Sequence, residues 1–378
     1  MNTVIAGYAR SPFTPARRGE LARTRPDDIA AEVIDGLLKK SKLNPSLVED
    51  LIVGTAFPEA EQGFNMARMI TFLTDLPETV PGVTINRFCG SSMQAIHDAA
   101  GRIAMGAGEC FIAGGIESMT RIPMTGFNPM PNPRLLEEAP GAFTSMGITA
   151  ENLAVKYGID RTAQEAFAIE SHARASAARE AGKFSDEIIE ISAKSGVIDS
   201  DGCIRPGTDA KTLGKLRPAF DVDGTVTAGT SSPLTDGAAF VIVCTEEFAL
   251  ANGLTPLAKI ASIAVSGCSP EIMGIGPVEA TRKALDRAGL SLGDIDIIEL
   301  NEAFAAQSLA VIEELGLDQS KINIDGGAIA LGHPLGASGA RITGKVASLL
   351  VREGATHALA TMCIGGGQGI ATILSKID

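Results

Sequence analysis

The 378-residue sequence predicts an α/β architecture of two similar halves with an insertion between them. Three pairs of distant segments carry this expectation. Residues 28–57 (DIAAEVIDGLLKKSKLNPSLVEDLIVGTAF) and 277–304 (PVEATRKALDRAGLSLGDIDIIELNEAF) both run from an amphipathic helix through a turn into a short apolar strand. Aligning Leu43 with Leu290 also pairs Leu38 with Leu285, Leu51 with Ile298 and Phe57 with Phe304. Residues 83–103 and 322–342 each read as strand, small-residue turn and helix. Residues 110–115 (CFIAGG) and 359–369 (LATMCIGGGQG) each read as a strand meeting glycines. Generic α/β repetition explains the order of elements, but not the parallel placement of Cys89 and His333 in equivalent turns.

On this reading residues 1–117 with 237–256 form the first half, 118–236 the insertion and 257–378 the second half. The insertion opens with a Pro-rich irregular stretch, NPMPNPRLLEEAPGAF, and continues into a long charged helix over residues 162–182. Arg205, Lys211, Lys215 and Arg217 follow, then the small-residue run TAGTSS at residues 227–232. Such basic residues ordinarily form a solvated face. In a chain of net charge −13 they are also where an anionic ligand would be met.

The same net charge excludes the broad basic face of a nucleic-acid binder. Apolar runs such as residues 238–244 are far too short for a membrane span, and the N-terminus shows no basic and apolar signal regions. The six cysteines lack CxxC pairs and zinc-site spacing, so no metal site and a reducing, cytoplasmic location are expected.

The chemistry concentrates in a few positions. Cys89 lies between the β-rich VTINRF and a helix expected to begin near Ser91, where the helix N-terminus should favour its thiolate. His333 sits in the glycine-dense GGAIALGHPLGASGAR and is the best candidate base. Asn301-Glu302 ends an apolar strand, and Cys363 precedes GGGQG, whose N–H groups could surround an oxyanion. His97, His172 and His357 read as structural or solvated, and Cys110, Cys203, Cys244 and Cys268 as buried small hydrophobes.

Together NRFCGSSMQA around Cys89, NEAFA at residues 301–305, GGAIALGHPLGASGAR and CIGGGQG resemble the thiolase family, in family order across both halves. LRPAF, TVTAGTSS and MGITAEN are similar to the family's linking segments. The resemblance implies a thiolase fold: two duplicated αβαβα halves in a five-layer arrangement with an inserted loop domain. It implies Cys89 as acylated nucleophile, His333 as its base and Cys363 as second acid and base. Asn301 would hold a water, and the N–H groups of Cys89 and Gly365 would meet an oxyanion. Arg205, Ser232, Met146, Ala228 and Phe304 fall at coenzyme-A-binding positions. Coenzyme A would be a substrate, with no tightly bound cofactor. The resemblance also implies a homodimer or homotetramer and leaves room for a β-oxidation partner subunit.

Ser145-Met146-Gly147, where short-chain acetyl-CoA C-acetyltransferases carry His-Met-Gly, points to the degradative 3-ketoacyl-CoA branch. NEAF argues against the sterol-carrier-linked branch. The short-chain enzyme is the nearest alternative. A ketoacyl synthase would need a second active-site histidine. A Cys-His-Asn hydrolase would leave Cys363 without a role, and a silent binding subunit would have lost a motif residue.

Overall fold

The computed structural model describes residues 2–194 and 196–377. The first half runs β1 (Thr3–Arg10), β2 (Thr14–Pro15), α1 (Pro26–Ser41), β3 (Asp50–Gly54), α2 (Met66–Thr71), β4 (Gly82–Ile85), α3 (Ser91–Ala104) and β5 (Cys110–Ser118). The insertion contributes α4 (Pro133–Glu138), α5 (Met146–Tyr157), α6 (Arg161–Glu180), the hairpin β6 (Ile191–Ala193) and β7 (Gly196–Ile198), and α7 (Ala210–Leu213). The chain returns through β8 (Thr235–Thr245) and α8 (Glu246–Ala251). The second half is β9 (Ala258–Gly267), α9 (Gly276–Ala288), β10 (Ile297–Leu300), α10 (Ala305–Leu315), α11 (Ala328–Leu331), α12 (Leu335–Glu353), β11 (His357–Ile364) and β12 (Gln368–Ser375).

The strands hydrogen-bond in the order β10-β11-β12-β9-β1-β8-β5-β3-β4. This is two sheets of the same topology joined at a narrow seam, because β1 meets β9 only through Val4↔Lys259 and Ile5↔Ala258. Outward from the seam, β1, β8, β5 and β3 correspond to β9, β12, β11 and β10, with β3–β5 and β10–β11 parallel. The expected strand at Ile322, the counterpart of β4, is reduced to one bridge between Ile298 and Ile322. Asn323 there takes φ +46 and turns the chain away.

Five layers follow from which faces are apolar. Helices α1 and α2 cover the outer face of the first sheet, α9 and α10 that of the second, and α3 with α12 fills the space between the sheets. Helix α1 has Pro26 in its first turn beside Asp27 and Asp28, and ends with Lys39 and Lys40 before Lys42 in the left-handed region. Helix α12 differs from such surface helices: from Leu335 to Ala347 every residue is buried. Close approach makes this feasible. A Cβ on Gly339 would lie 2.4 Å from Met93 N in α3, and one on Gly336 2.7 Å from Ile116 O in β5. The Ala340 N–H donates to Ser92 Oγ at 2.8 Å, tying the two central helices together.

Burying α12 forces its charged residues to find partners. Lys345 sits 3.0 Å from Glu187 and 2.9 Å from Asp325, and Arg10 of β1 reaches Glu187 at 2.8 Å and Asp201 at 2.7 Å. Arg352 reaches Asp325 at 2.6 Å. Burial works against ionising Asp325, but Arg352 and Lys345 outweigh it and hold the carboxyl at about 2. The network pins the insertion, through Glu187 and Asp201, to both β1 and α12.

Close helix packing makes a direct prediction. Gly339→Ala should destabilise by about 1–3 kcal/mol through overpacking, despite Ala's better helix propensity. Gly101→Ala on the exposed face of α3, where a Cβ meets nothing within 4 Å, should stabilise by about 0.5–1 kcal/mol. Urea midpoints of the two variants, measured against the parent, check the opposite signs.

Candidate active site

After β4 ends at Ile85 the chain passes through a 3₁₀ turn, Phe88–Gly90, and α3 begins at Ser91. Phe88 adopts φ +43, a conformation costing a non-glycine residue about 1–3 kcal/mol. Local bonds hold it: Phe88 N–H donates to Asn86 Oδ1 at 2.7 Å, and Ser91 Oγ donates to Phe88 O at 2.7 Å. Cys89, 9% exposed, is thereby presented two residues ahead of α3. His333 stands two residues ahead of α12, the equivalent place in the other half. The duplicated turn thus carries a thiol in one copy and an imidazole in the other.

The His333 turn depends on Gly332, whose φ is +106 and whose Cβ would fall 2.7 Å from the Thr235 side chain. The His333 N–H donates to Thr235 Oγ1 at 3.1 Å. Its ring places Nδ1 2.5 Å from Ser338 Oγ and Nε2 3.4 Å from Asn301 Nδ2. Beneath the turn the buried carboxylate of Glu117 accepts from Gly336 N–H at 2.9 Å, Ala56 N–H at 2.7 Å and Gln62 Nε2 at 2.6 Å. One acidic group therefore fastens the first turn of α12 to the end of β3.

Asn301 and Glu302 follow β10 and point to different tasks. Asn323 accepts from Leu300 N–H at 3.0 Å and donates to Leu300 O at 2.8 Å, which holds the end of β10 in place. Asn301 then reaches His333, and its Oδ1 is buried without a partner among the described residues. Glu302 turns away, accepting from Ser171 Oγ at 2.7 Å, Asn323 Nδ2 at 2.7 Å and Ile329 N–H at 3.1 Å. Cys363, 1% exposed near the end of β11, lies beside Cys89, and the Gly365 N–H is directed at the Cys89 sulfur.

The candidate coenzyme-A residues separate into two groups. Arg205 and Ala228 line a cavity of about 100 Å³ with His172, Thr208 and Thr212, and the Arg205 N–H donates to His172 Nδ1 at 3.2 Å. Met146 and Phe304 share an apolar cluster with Cys363, Phe220 stacking edge-on against Phe304 at 5.7 Å. The Ser232 N–H is tied to Ala303 O at 3.0 Å, next to Phe304. Arg205, Lys211, Lys215 and Arg217 are exposed, and no ion pair engages them among the described residues. Ser338, Thr235, Glu117 and His172 were not singled out as functional from the sequence. An i+5 serine after a histidine at a helix start is the only one of these signals a sequence could offer.

The electrostatics correct one expectation. Burial pushes the Cys89 thiol up to about 11, with the Gly365 N–H opposing and Glu117 adding to the rise. Burial therefore opposes the thiolate that the helix N-terminus would favour. Burial, helped by Arg341, pulls His333 down to about 3, and burial drives Cys363 well above the usual thiol range. Both shifts favour neutral thiol and neutral imidazole over an ion pair. Inactivation of the free protein by iodoacetamide at Cys89 should therefore keep accelerating from pH 7 to 10, towards a midpoint near 11. A plateau below pH 8 would mean that a thiolate and imidazolium pair is the resting state.

Comparison with known proteins agrees with this geometry. Residues 3–247 match the thiolase N-terminal domain and residues 254–376 the thiolase C-terminal domain. The chain is 49% identical over 383 residues to a 3-ketoacyl-CoA thiolase of Bacillus subtilis, covering 98% of each. It is 48% identical to one from Saccharophagus degradans, over all of this chain and 98% of the relative. Among solved structures, human mitochondrial 3-ketoacyl-CoA thiolase superposes with a TM-score of 0.92 at 40% identity, covering 100% of this chain and 99% of that one. The Bacillus anthracis acetyl-CoA acetyltransferase gives the same TM-score at 39% identity and the same coverage. With both domains matched along nearly the whole chain and the duplicated fold in place, this protein belongs to the thiolase family.

Proposed function

We propose that the protein cleaves 3-ketoacyl-CoA with coenzyme A into acetyl-CoA and an acyl-CoA two carbons shorter. The observation carrying this reading is that the two duplicated turns present Cys89 beside a second buried thiol, Cys363, and His333 beside Asn301, whose Oδ1 has no partner among the described residues. Cys89 Sγ attacks the 3-keto carbon as its proton passes to His333 Nε2. The C2–C3 bond breaks, and Cys363 gives its proton to C2 of the departing enolate. Coenzyme A, deprotonated by Cys363, then attacks the acyl-enzyme and regenerates Cys89, giving ping-pong kinetics. His333 and a water held by Asn301 stabilise the enolate oxygen, while the N–H groups of Cys89 and Gly365 meet the tetrahedral oxyanion. Each such donor is typically worth about 3 kcal/mol.

Coenzyme A, on this reading, places its phosphates by Arg205 near Ala228 and threads its pantetheine past Ser232, Met146 and Phe304. The insertion, residues 118–236, serves as the covering domain between halves 1–117 with 237–256 and 257–378. Its strap exposes Phe127, Met130, Leu135, Leu136 and Phe143, and is anchored where the Phe127 N–H donates to Glu59 at 2.6 Å. That apolar surface supports acyl chains longer than acetoacetyl, as do the names of the relatives. No described helix is long and apolar enough to cross a membrane, and we place the activity in the cytoplasm, free or beside a β-oxidation partner subunit.

With 3-ketoacyl-CoA substrates from four to sixteen carbons, the magnesium-enhanced enolate absorbance should fall only when coenzyme A is present. Loss without coenzyme A would indicate a hydrolase and would sink the thiolase reading. Cys363→Ala should lower kcat by about 100- to 10,000-fold. A hydrolase relying on Cys89, His333 and Asn301 would keep its turnover in that variant.

The assembly is a homodimer, or a dimer of dimers, through the first half. Support comes from β4, an edge strand that pairs with β3 alone among the described residues, beside Phe64 at 95% exposure and Phe72 at 54%. Sedimentation should give at least a dimer at micromolar concentration, and Phe64→Glu with Phe72→Glu should shift it towards monomer. A monomeric parent protein would contradict this.

A further inference from the structure

We propose that Ser338 is a positioning residue that sets the tautomer of His333, holding the proton on Nδ1 so that Nε2 presents a lone pair to Cys89. Ser338 lies on the first turn of α12, 1% exposed, with its Oγ 2.5 Å from His333 Nδ1 and 2.9 Å from Pro334 O. The three groups have one mutually satisfying arrangement. Pro334 O can only accept, so it takes the single hydroxyl proton, and towards Nδ1 the serine oxygen can then only accept. Nδ1 must therefore carry hydrogen, and neutral His333 is left with its basic nitrogen at Nε2. Asn301 Nδ2, 3.4 Å from Nε2, is a donor and agrees with a lone pair there.

A hydroxyl in this place differs chemically from the carboxylate that orients many catalytic histidines. A carboxylate would stabilise imidazolium and draw the thiol proton across before substrate arrives. A serine fixes the ring's orientation and tautomer without that charge. The proton then moves from Cys89 to Nε2 when carbon–sulfur bond formation consumes the developing thiolate. When Nε2 holds that proton, both ring nitrogens are donors: Nδ1–H stays on Ser338 while Nε2–H faces the substrate oxygen. The helix frame sets the spacing, because Ser338 occupies the position four residues after Pro334, where its hydroxyl reaches back to the carbonyl of the preceding turn. Gly339, next to it, lets α12 sit against Met93 of α3.

The inference rests on reading His333 as the base of the thiolase reaction, and the test separates the two. Solid-state ¹⁵N NMR of histidine-labelled protein at pH 8, with His333 assigned by difference from His333→Asn, should show protonated Nδ1 and bare Nε2. Ser338→Ala should admit the Nε2–H tautomer and lower kcat about 10- to 100-fold, with KM for the 3-ketoacyl-CoA within about twofold. An Nε2–H tautomer in the parent protein would overturn the proposal, as would Ser338→Ala with tautomer and kcat both unchanged. If Ser338→Ala does not fold, the parent spectrum alone decides. Absence of thiolysis in the parent protein would remove the functional reading and leave the tautomer assignment standing.

Discussion

The contact between α3 and α12, buried between two sheets, is the constraint on which the remaining structure depends. Two helices can share that layer only if their backbones approach closely, and Gly339 of α12 against Met93 of α3 provides the approach, while Gly54 at the end of β3 lets the start of α3 sit against its sheet. Each helix then has a titratable residue two positions ahead of its first turn, Cys89 before α3 and His333 before α12. Glu117 completes the joint by accepting N–H groups from both halves, with no cation beside it among the described residues. A carboxylate used this way serves as a fixed hydrogen-bond hub and leaves the chemistry to the groups above it.

Burial has two consequences that pull in different directions. It makes the middle layer dry and closely packed, which orients Cys89, His333 and Cys363 with little freedom. It also raises both thiols and lowers the histidine, so no ion pair forms in advance. The site is therefore poised rather than charged. On the proposed reading its reactivity comes from donors aimed at oxygens that acquire charge during reaction, where a low-dielectric setting strengthens each hydrogen bond.

Duplication explains how one fold assembles two unlike groups. The same strand, turn and helix appears twice, and the second copy has lost its edge strand to a single bridge at Ile322. That loss leaves room for α11 and the glycine turn carrying His333, while the first copy keeps β4 and its tight 3₁₀ turn for Cys89. Asn301 and Glu302 show a similar division within two residues, since one side chain reaches His333 and the other anchors α11 and α6.

Much of this was legible in the residues. The repeat was visible because matched apolar positions at helix and strand periods record which faces are buried, whatever those faces pack against. Cys89, His333 and Cys363 stand out as candidates in the sequence because each lies beside glycines, and Asn301 because it ends an apolar strand. What sequence order could not reveal was set by contacts between segments hundreds of residues apart. The seam between β1 and β9, the hub at Glu117 and the ionic network through Lys345 are of this kind. So is the burial of Cys89, which pushes its thiol up where local helix geometry would favour a thiolate. Local sequence determines which elements form and which residues are reactive in kind. Only tertiary burial decides how much solvent each charge loses, and at Cys89 that loss works against the helix dipole.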